Sequence, residues 1–233
     1  MTQLHVQGLP DPLPPDPLQV AEKWLKQAQD EQLSPNPNSM VLATVGANGQ
    51  PSARVVLCKD IVLPDGYLVF YTNYESRKAR ELDAAPRAAA VFHWDALGRQ
   101  VRVEGFVRRS PASESDDYFA SRPWQSRVGA WASQQSRPIG TRAQLVEQLR
   151  AAGRRFDTPP VGPDAREEDA NEAVDVPRPP HWGGYRLWIE TAELWVDGPY
   201  RIHDRATWTR TLTPVGDGHL FRASPWHVQR LQP

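Results

Sequence analysis

The residues best equipped for chemistry are arginines and lysines set beside hydroxyls, amides and aromatic rings. Ser121 to Ser136 holds Arg122 and Arg127 among four serines and three glutamines, together with Trp124, Val128, Ala130 and Trp131, which favour burial. Polar groups drawn to a buried surface cost free energy unless a partner satisfies them. Two arginines ask for an anionic one. Tyr118 stands four residues before Arg122, a spacing that puts both on one helix face. The chemistry implied is the gripping of a phosphate-bearing ligand; the plainer alternative is a solvated helix–turn–helix surface.

Three further groups carry cations. Ser76, Arg77 and Lys78 follow the strand-like run YLVFYT. A strand feeding a helix there offers backbone N–H groups and the positive end of the helix dipole to an anion. Cations at that end are locally unfavourable, so a bound anion would compensate. In RVVLCK, strand alternation puts Arg54, Val56 and Cys58 on one face and Val55, Leu57 and Lys59 on the other. Arg54 and Lys59 then share a face only if the strand bends or bulges. Cys58 reads as a small core residue rather than a nucleophile. Arg201, His203 and Arg205 fall at alternate positions. On a strand they would line one face, where like charges repel and call for a ligand or carboxylate; a salt-bridged surface is the alternative. Trp195 is able either to stack on a planar ring or to fill the core. No P-loop, GxGxxG or nucleophile–base motif occurs. A flavin held without a Rossmann fold would explain such phosphate sites.

The bulk properties narrow the class. A chain of 233 residues suffices for one large domain or two small ones. A net charge of −1 gives no global basic field for nucleic acid. One cysteine permits no internal disulfide and fits a reducing compartment, and six scattered histidines give no metal-ligand spacing. No apolar run approaches the roughly 18 residues of a membrane span. The first 22 residues lack Lys and Arg, which argues against a signal peptide. A soluble cytoplasmic protein is expected.

The elements that must position these residues read as mostly β with peripheral helices. Residues 1–16 form an extended, proline-stiffened arm, and residues 17–233 a single domain. Asp16 and Pro17 look like the cap and first residue of a helix over 17–32, with Leu18, Ala21, Trp24, Leu25 and Ala28 at helical spacing. Asn48-Gly49, Asp65-Gly66, Asp197-Gly198 and Asp217-Gly218 separate β-rich runs, which argues for antiparallel strands and a closed barrel. RQVRVEGFVRR alternates Val101, Val103, Gly105 and Val107 against Arg102, Glu104, Phe106 and Arg108. Ser113 reads as an N-cap, Pro123 as a helix interruption, and Thr141 with Gln144 as a capping box. GGYRLWIE, AELWV, ATWTRTL and WHVQRL supply closing strands, and 157–180 is an acidic, proline-rich surface loop.

Taken together, RVVLCK, FYTNYESRKARELDAAPRAAAVFHW, RQVRVEG, YFASRP, GAWASQQS, RPPHWGGYRL and RIHDR resemble the pyridoxine/pyridoxamine 5′-phosphate oxidase family. The resemblance runs from about Pro15 to Pro233 and implies an antiparallel, FMN-binding split β-barrel, dimeric, with FMN in the subunit interface. It implies FMN contacts from Arg54, Lys59, Tyr71, Thr72, Arg77, Lys78, Gln100, Gln135, Ser136, Trp195 and Arg205, with Arg77 and Lys78 on its phosphate. The substrate phosphate would lie on Lys59, Tyr118, Arg122 and Ser126, and Arg201 and His203 would lie over the pyridine ring as the catalytic pair. The implied reaction is hydride transfer from substrate C4′ to the flavin, which dioxygen reoxidises, giving pyridoxal 5′-phosphate and hydrogen peroxide. Three departures stand out. The N-terminal Arg-Arg-x-Tyr motif of many members is missing, the bulky Trp124 between Arg122 and Ser126 is set to reshape the phosphate pocket, and the 157–180 loop is long. The competing readings are a related flavin oxidase of the phenazine-pathway type and a flavin-binding split barrel without turnover.

Overall fold

The computed structural model describes residues 8–165, 174–216 and 218–233. Helix α1 (Pro17–Asp30) begins where Pro17 fixes φ and the Asp16 side chain accepts from the Leu18 N–H, and it buries Leu18, Ala21, Trp24, Leu25 and Ala28. The strands follow: β1 (Ser39–Val45), β2 (Pro51–Leu57), β3 (Asp60–Val62), β4 (Tyr67–Asn73), β5 (Arg87–Trp94), β6 (Arg99–Arg109), β7 (Trp182–Val196), β8 (Asp204–Thr209), β9 (Leu212–Val215), β10 (Leu220–Ala223) and β11 (His227–Leu231). Between them lie α2 (Arg77–Ala84), α3 (Ala112–Ala120), α4 (Trp124–Ala132) and α5 (Arg142–Arg155).

The main sheet runs β11-β8-β7-β6-β5-β1-β2, with β4 joined to β7 and to β3, while β9 and β10 form a separate hairpin. Among the described residues this pairing is an open path, not the closed ring that the hairpin turns suggested. A strand has two edges, yet β7 serves β6, β8 and β4. It does so because GGYRLWIE and AELWV are not two strands but one strand of 15 residues. Branching at that strand takes the place of closure.

Local chemistry explains most boundaries. In β6, Val101, Val103, Gly105 and Val107 are buried, as alternation predicts. Gly105 is required by close approach: a Cβ there would stand 1.8 Å from the Trp188 carbonyl oxygen on β7. Gly49 (φ 79°) and Gly66 (φ 76°) turn the chain into β2 and β4. Pro123 caps α4 and separates it from α3, and Thr141 and Gln144 form both bonds of the capping box on α5. Ser113 is not a cap. It lies inside α3, which begins at Ala112 after Pro111 with no side-chain cap. Asp217 of the expected Asp217-Gly218 turn lies outside the described residues.

By contacts the chain forms two compact units. The first comprises 1–70, 81–108 and 185–233, the second 71–80 and 109–184. The first holds most of the sheet, α1 and the described part of the arm. There the Leu9 N–H donates to Asp204 Oδ2 (2.8 Å), Arg230 Nη2 to the Pro10 carbonyl (3.1 Å) and Trp208 Nε1 to the Pro14 carbonyl (2.9 Å). The arm is thus tied to β8 and β11; residues 1–7 lie outside the described set.

The second unit holds α3, α4 and α5 around Trp124, Val128, Val161 and Val176. Trp124 is 3% exposed and is part of this core, buried as its type suggested. The 157–180 stretch is correspondingly more than a surface loop. Val161 and Val176 anchor it, and Arg127 Nη2 and Trp131 Nε1 donate to the carbonyls of Val174 (2.8 Å) and Pro177 (2.7 Å). Its residues 166–173 lie outside the described set. Among the described residues no helix is long and apolar enough to cross a membrane.

Candidate active site

In the second unit, the end of β4, the start of α2 and the chain after α4 bring one polar cluster together. Lys78 Nζ donates to Gln135 Oε1 (2.7 Å), Thr72 Oγ1 (3.0 Å) and Ser76 Oγ (3.4 Å). The Arg77 N–H donates to Ser136 Oγ (3.1 Å), and Ser136 holds a left-handed φ of 72° that turns the chain back toward α2. The cradle therefore differs in one respect from the sequence expectation. The first N–H of α2 is already taken by Ser136, and the Ala79 N–H by Ser76 Oγ (3.4 Å), so hydroxyls mediate where bare amides were expected. An ammonium among neutral oxygens, with Arg77 exposed beside it, has the donor chemistry that a phosphate monoester needs. The residues fit the phosphate of FMN.

A second group in the same unit is aromatic. Tyr71 stacks on Tyr118 (4.0 Å, 17°) and on Trp182 (5.4 Å, 9°), and the Arg122 guanidinium lies over the Trp182 ring at 4.7 Å. Arg122 lies beyond the last residue of α3, so it and Tyr118 do not share a helix face as the spacing suggested; the ring stack brings them together instead. Its Nη1 is buried and has no hydrogen-bond partner among the described residues. Burial pushes its guanidinium below the ordinary arginine range; Tyr118 opposes that shift and Arg127 adds to it. A desolvated donor without an acceptor is costly unless an anion arrives. Ser126 stands exposed in the first turn of α4. Trp182 stands just ahead of the strand-like run GGYRLWIE, and its local pattern gives it no role.

The first unit places the other candidates differently. Arg54 on β2 does not pair with Lys59, which lies exposed beyond the strand end. Its Nη2 reaches Glu81 Oε2 at 3.1 Å, and Thr44 and Ser52 donate to the same oxygen (2.5 and 2.6 Å). The Arg54 charge is met by a buried carboxylate on α2, a partner 27 positions away that local reading does not see. Cys58 is 1% exposed, and burial pushes its thiol up to about 12, so it is core and not a nucleophile. Gln100 lies half-buried on β6, opposite His93.

Arg201, His203 and Arg205 do not share a strand face. Arg201 closes a 3-10 turn, Pro199–Arg201, in which Tyr200 and Arg201 hold φ of 58° and 65°. Among the described residues Arg201 makes no hydrogen bond or ion pair. His203 precedes β8, with its ring 4.7 Å from Trp195 and its Nδ1 3.0 Å from Asp197 Oδ1. Arg205 alone lies on β8. It donates to Glu193 Oε1 through Nε (3.1 Å) and Nη2 (2.8 Å), and to the Gln232 carbonyl (3.1 Å). Glu193 is 3% exposed and also meets Arg102 at 3.0 Å. The carboxylate expected among the cations is thus Glu193, from the neighbouring strand.

Comparisons with known proteins bear on the family and the fold. The profile described as pyridoxamine 5′-phosphate oxidase matches residues 25–152, and that described as the pyridoxine 5′-phosphate oxidase C-terminal dimerisation region matches 182–233. A relative from Burkholderia orbicola, named pyridoxine/pyridoxamine 5′-phosphate oxidase, is 46% identical over 91% of this chain and 90% of its own. Among solved structures, PhzG from Burkholderia lata in complex with tetrahydrophenazine-1-carboxylic acid superposes with a TM-score of 0.74 at 28% identity, over 96% of this chain and 95% of that one. A pyridoxamine 5′-phosphate oxidase-related, FMN binding protein from Nostoc punctiforme gives 0.64 at 15% identity, over 94% and 98%, and bears on the fold alone. The fold is the split β-barrel that the motifs implied. With both matched regions in order and nine-tenths of the chain aligned to such a relative, the chain belongs to the pyridoxine/pyridoxamine 5′-phosphate oxidase family.

Proposed function

We propose that the chain is an FMN-dependent oxidase. It converts pyridoxine 5′-phosphate or pyridoxamine 5′-phosphate to pyridoxal 5′-phosphate, with dioxygen as acceptor and release of hydrogen peroxide. The observation that carries this reading is Arg122, a half-buried cation stacked on Trp182 beside Tyr118 with an unpartnered, buried Nη1. That donor suits a substrate phosphate, and Lys59, Tyr118 and Ser126 complete the proposed set. The FMN contacts proposed are Tyr71, Thr72, Arg77, Lys78, Gln135 and Ser136, together with Arg54, Lys59, Gln100, Trp195 and Arg205. Bound FMN supplies the two-electron acceptor and the route to dioxygen. The chain's own part is to hold the substrate phosphate, to fix the pyridine ring through Arg201 and His203, and to keep it in register with the cofactor. On this reading residues 17–233 serve as one FMN-binding domain behind the 1–16 arm, in the cytoplasm.

The active form is proposed to be a homodimer with FMN at the subunit interface. In support, Val41 of β1 lies opposite Val55 of β2 and Val91 of β5, and Ala43 opposite Ala53 and Ala89. Val41 (43%), Val45 (40%) and Val55 (65%) leave this apolar strip exposed on a single chain. Val55→Asp would place a charge in it. Sedimentation equilibrium should read twice the chain mass for the wild type and a shift toward the single-chain mass for the variant. A wild-type dimer in the variant would take this face out of the interface.

The likeness to PhzG supports a second reading, a related flavin oxidase on another substrate. Aerobic turnover with FMN supplied separates the two. Pyridoxal 5′-phosphate should form from the phosphorylated alcohol and amine, and unphosphorylated pyridoxine should be oxidised to pyridoxal far more slowly. A yellow protein that makes no product from either phosphate would favour the second reading.

A further inference from the structure

His203, proposed to lie over the pyridine ring, can present either of its ring nitrogens to the substrate. We infer that Asp197 is a positioning residue that sets the tautomer of His203, so that Nε2 presents a lone pair to the substrate. The inference deepens the proposed oxidase reading and rests on it for its link to substrate. Its first test does not depend on turnover.

Two groups compete for Nδ1. The Asp197 carboxylate, just past the end of β7, has Oδ1 at 3.0 Å, and the Gly198 backbone N–H points at the same nitrogen from 3.3 Å. These partners demand opposite states of the ring. A carboxylate only accepts, so Nδ1 must carry the proton to bond it; a backbone N–H only donates, so Nδ1 must be bare. The shorter contact to an ionised group is the stronger, because charge-assisted bonds exceed neutral ones by roughly twofold. The proton therefore sits on Nδ1, and Nε2 is left as an acceptor.

The ring is held for this role. The His203 side chain is 21% exposed and rests against Trp195 at 4.7 Å, and the Asp197 N–H is anchored to the Gly98 carbonyl (2.8 Å). Gly198 lies close against Ile202: a Cβ there would stand 2.0 Å from the Ile202 carbonyl oxygen, so only glycine fits beside the ring. Removing the carboxylate would leave the Gly198 N–H as the partner in place. Nδ1 would turn acceptor, the proton would move to Nε2, and the face toward the substrate would change from acceptor to donor. Asp197 thus acts as a selector between two states that the backbone geometry already permits. An Nε2 acceptor suits the hydroxyl or amine hydrogens of the proposed substrates.

The experiment is long-range ¹H–¹⁵N correlation of the histidine rings in the FMN-loaded protein, at a pH where the ring is neutral. His203 is assigned by loss of its signals in His203→Gln. Wild type should show a protonated Nδ1 and a bare Nε2. Asp197→Asn should keep that pattern, since the amide oxygen still accepts, and Asp197→Ala should invert it. The same pattern in wild type and Asp197→Ala would overturn the inference, as would a wild type with its proton on Nε2. For turnover, kcat should fall about tenfold or more in Asp197→Ala and recover to near wild type in Asp197→Asn, with little change in KM. Inversion of the ring in a protein without oxidase turnover would uphold the role of Asp197 and count against the oxidase reading alone.

Discussion

Arg201→Ala is expected to lower kcat by about 10²-fold to 10³-fold while the protein stays yellow. Arg201 is exposed, has no intramolecular partner among the described residues, and sits on backbone that ordinary side chains avoid. Two successive non-glycine residues at φ of 58° and 65° cost of order 1 kcal/mol each. Such a cost persists where the surrounding structure imposes it, and here it presents a cation with nothing of its own to bind. Alanine tolerates that backbone no better and no worse, so the fold should survive and the loss should fall on turnover. Lysine should not rescue, because it lacks the planar fork. Arg77→Ala should do the reverse, releasing FMN on gel filtration and regaining turnover when FMN is in excess. Wild-type turnover in Arg201→Ala would remove that residue from the chemistry. Unchanged FMN affinity in Arg77→Ala would dismiss the start of α2 as the phosphate site.

The largest effect on stability is expected from Gly105→Ala. The added Cβ would meet the Trp188 carbonyl oxygen at 1.8 Å and its carbon at 2.8 Å. Both are backbone atoms in the middle of β7, so no side-chain rotation relieves the clash. Separating β6 from β7 would break pairing at the centre of the sheet, at a cost of about 3 kcal/mol or more. That is a large share of the roughly 5–15 kcal/mol by which a domain is stable. The variant should unfold at much lower denaturant or accumulate as insoluble protein. A midpoint within error of wild type would rule out close packing of Gly105 against Trp188.

What the sequence disclosed was local. Alternation of Val101, Val103, Gly105 and Val107 gave β6 its bounds and its buried face. Asp16-Pro17 and Thr141 with Gln144 announced two helix starts because their caps are made within three residues. The errors came from distance and from backbone states with no marker in the sequence. Arg201, His203 and Arg205 alternate as strand residues do, but Pro199 supplies no N–H and Tyr200 and Arg201 turn left-handed without a glycine to signal it. The carboxylates beside Arg54 and Arg205, Glu81 and Glu193, stand 27 and 12 positions away and have no local signal. Lys78 and Gln135, 57 positions apart, were linked by the family resemblance and not by any periodicity. Trp124 has mostly polar neighbours in the chain, whereas its neighbours in space are Val128, Val161 and Val176.

The burial of Cys58 has a practical consequence. It is the chain's one cysteine, its Sγ donates to the Asp60 carbonyl (3.2 Å), and its thiol stays protonated at neutral pH. A maleimide or disulfide reagent will therefore find no target in the closed protein. The rate at which that thiol becomes titratable is then a clock for opening of the sheet beneath it, readable without a label. The same silence lets a single engineered surface cysteine take a fluorophore with the natural one left in place.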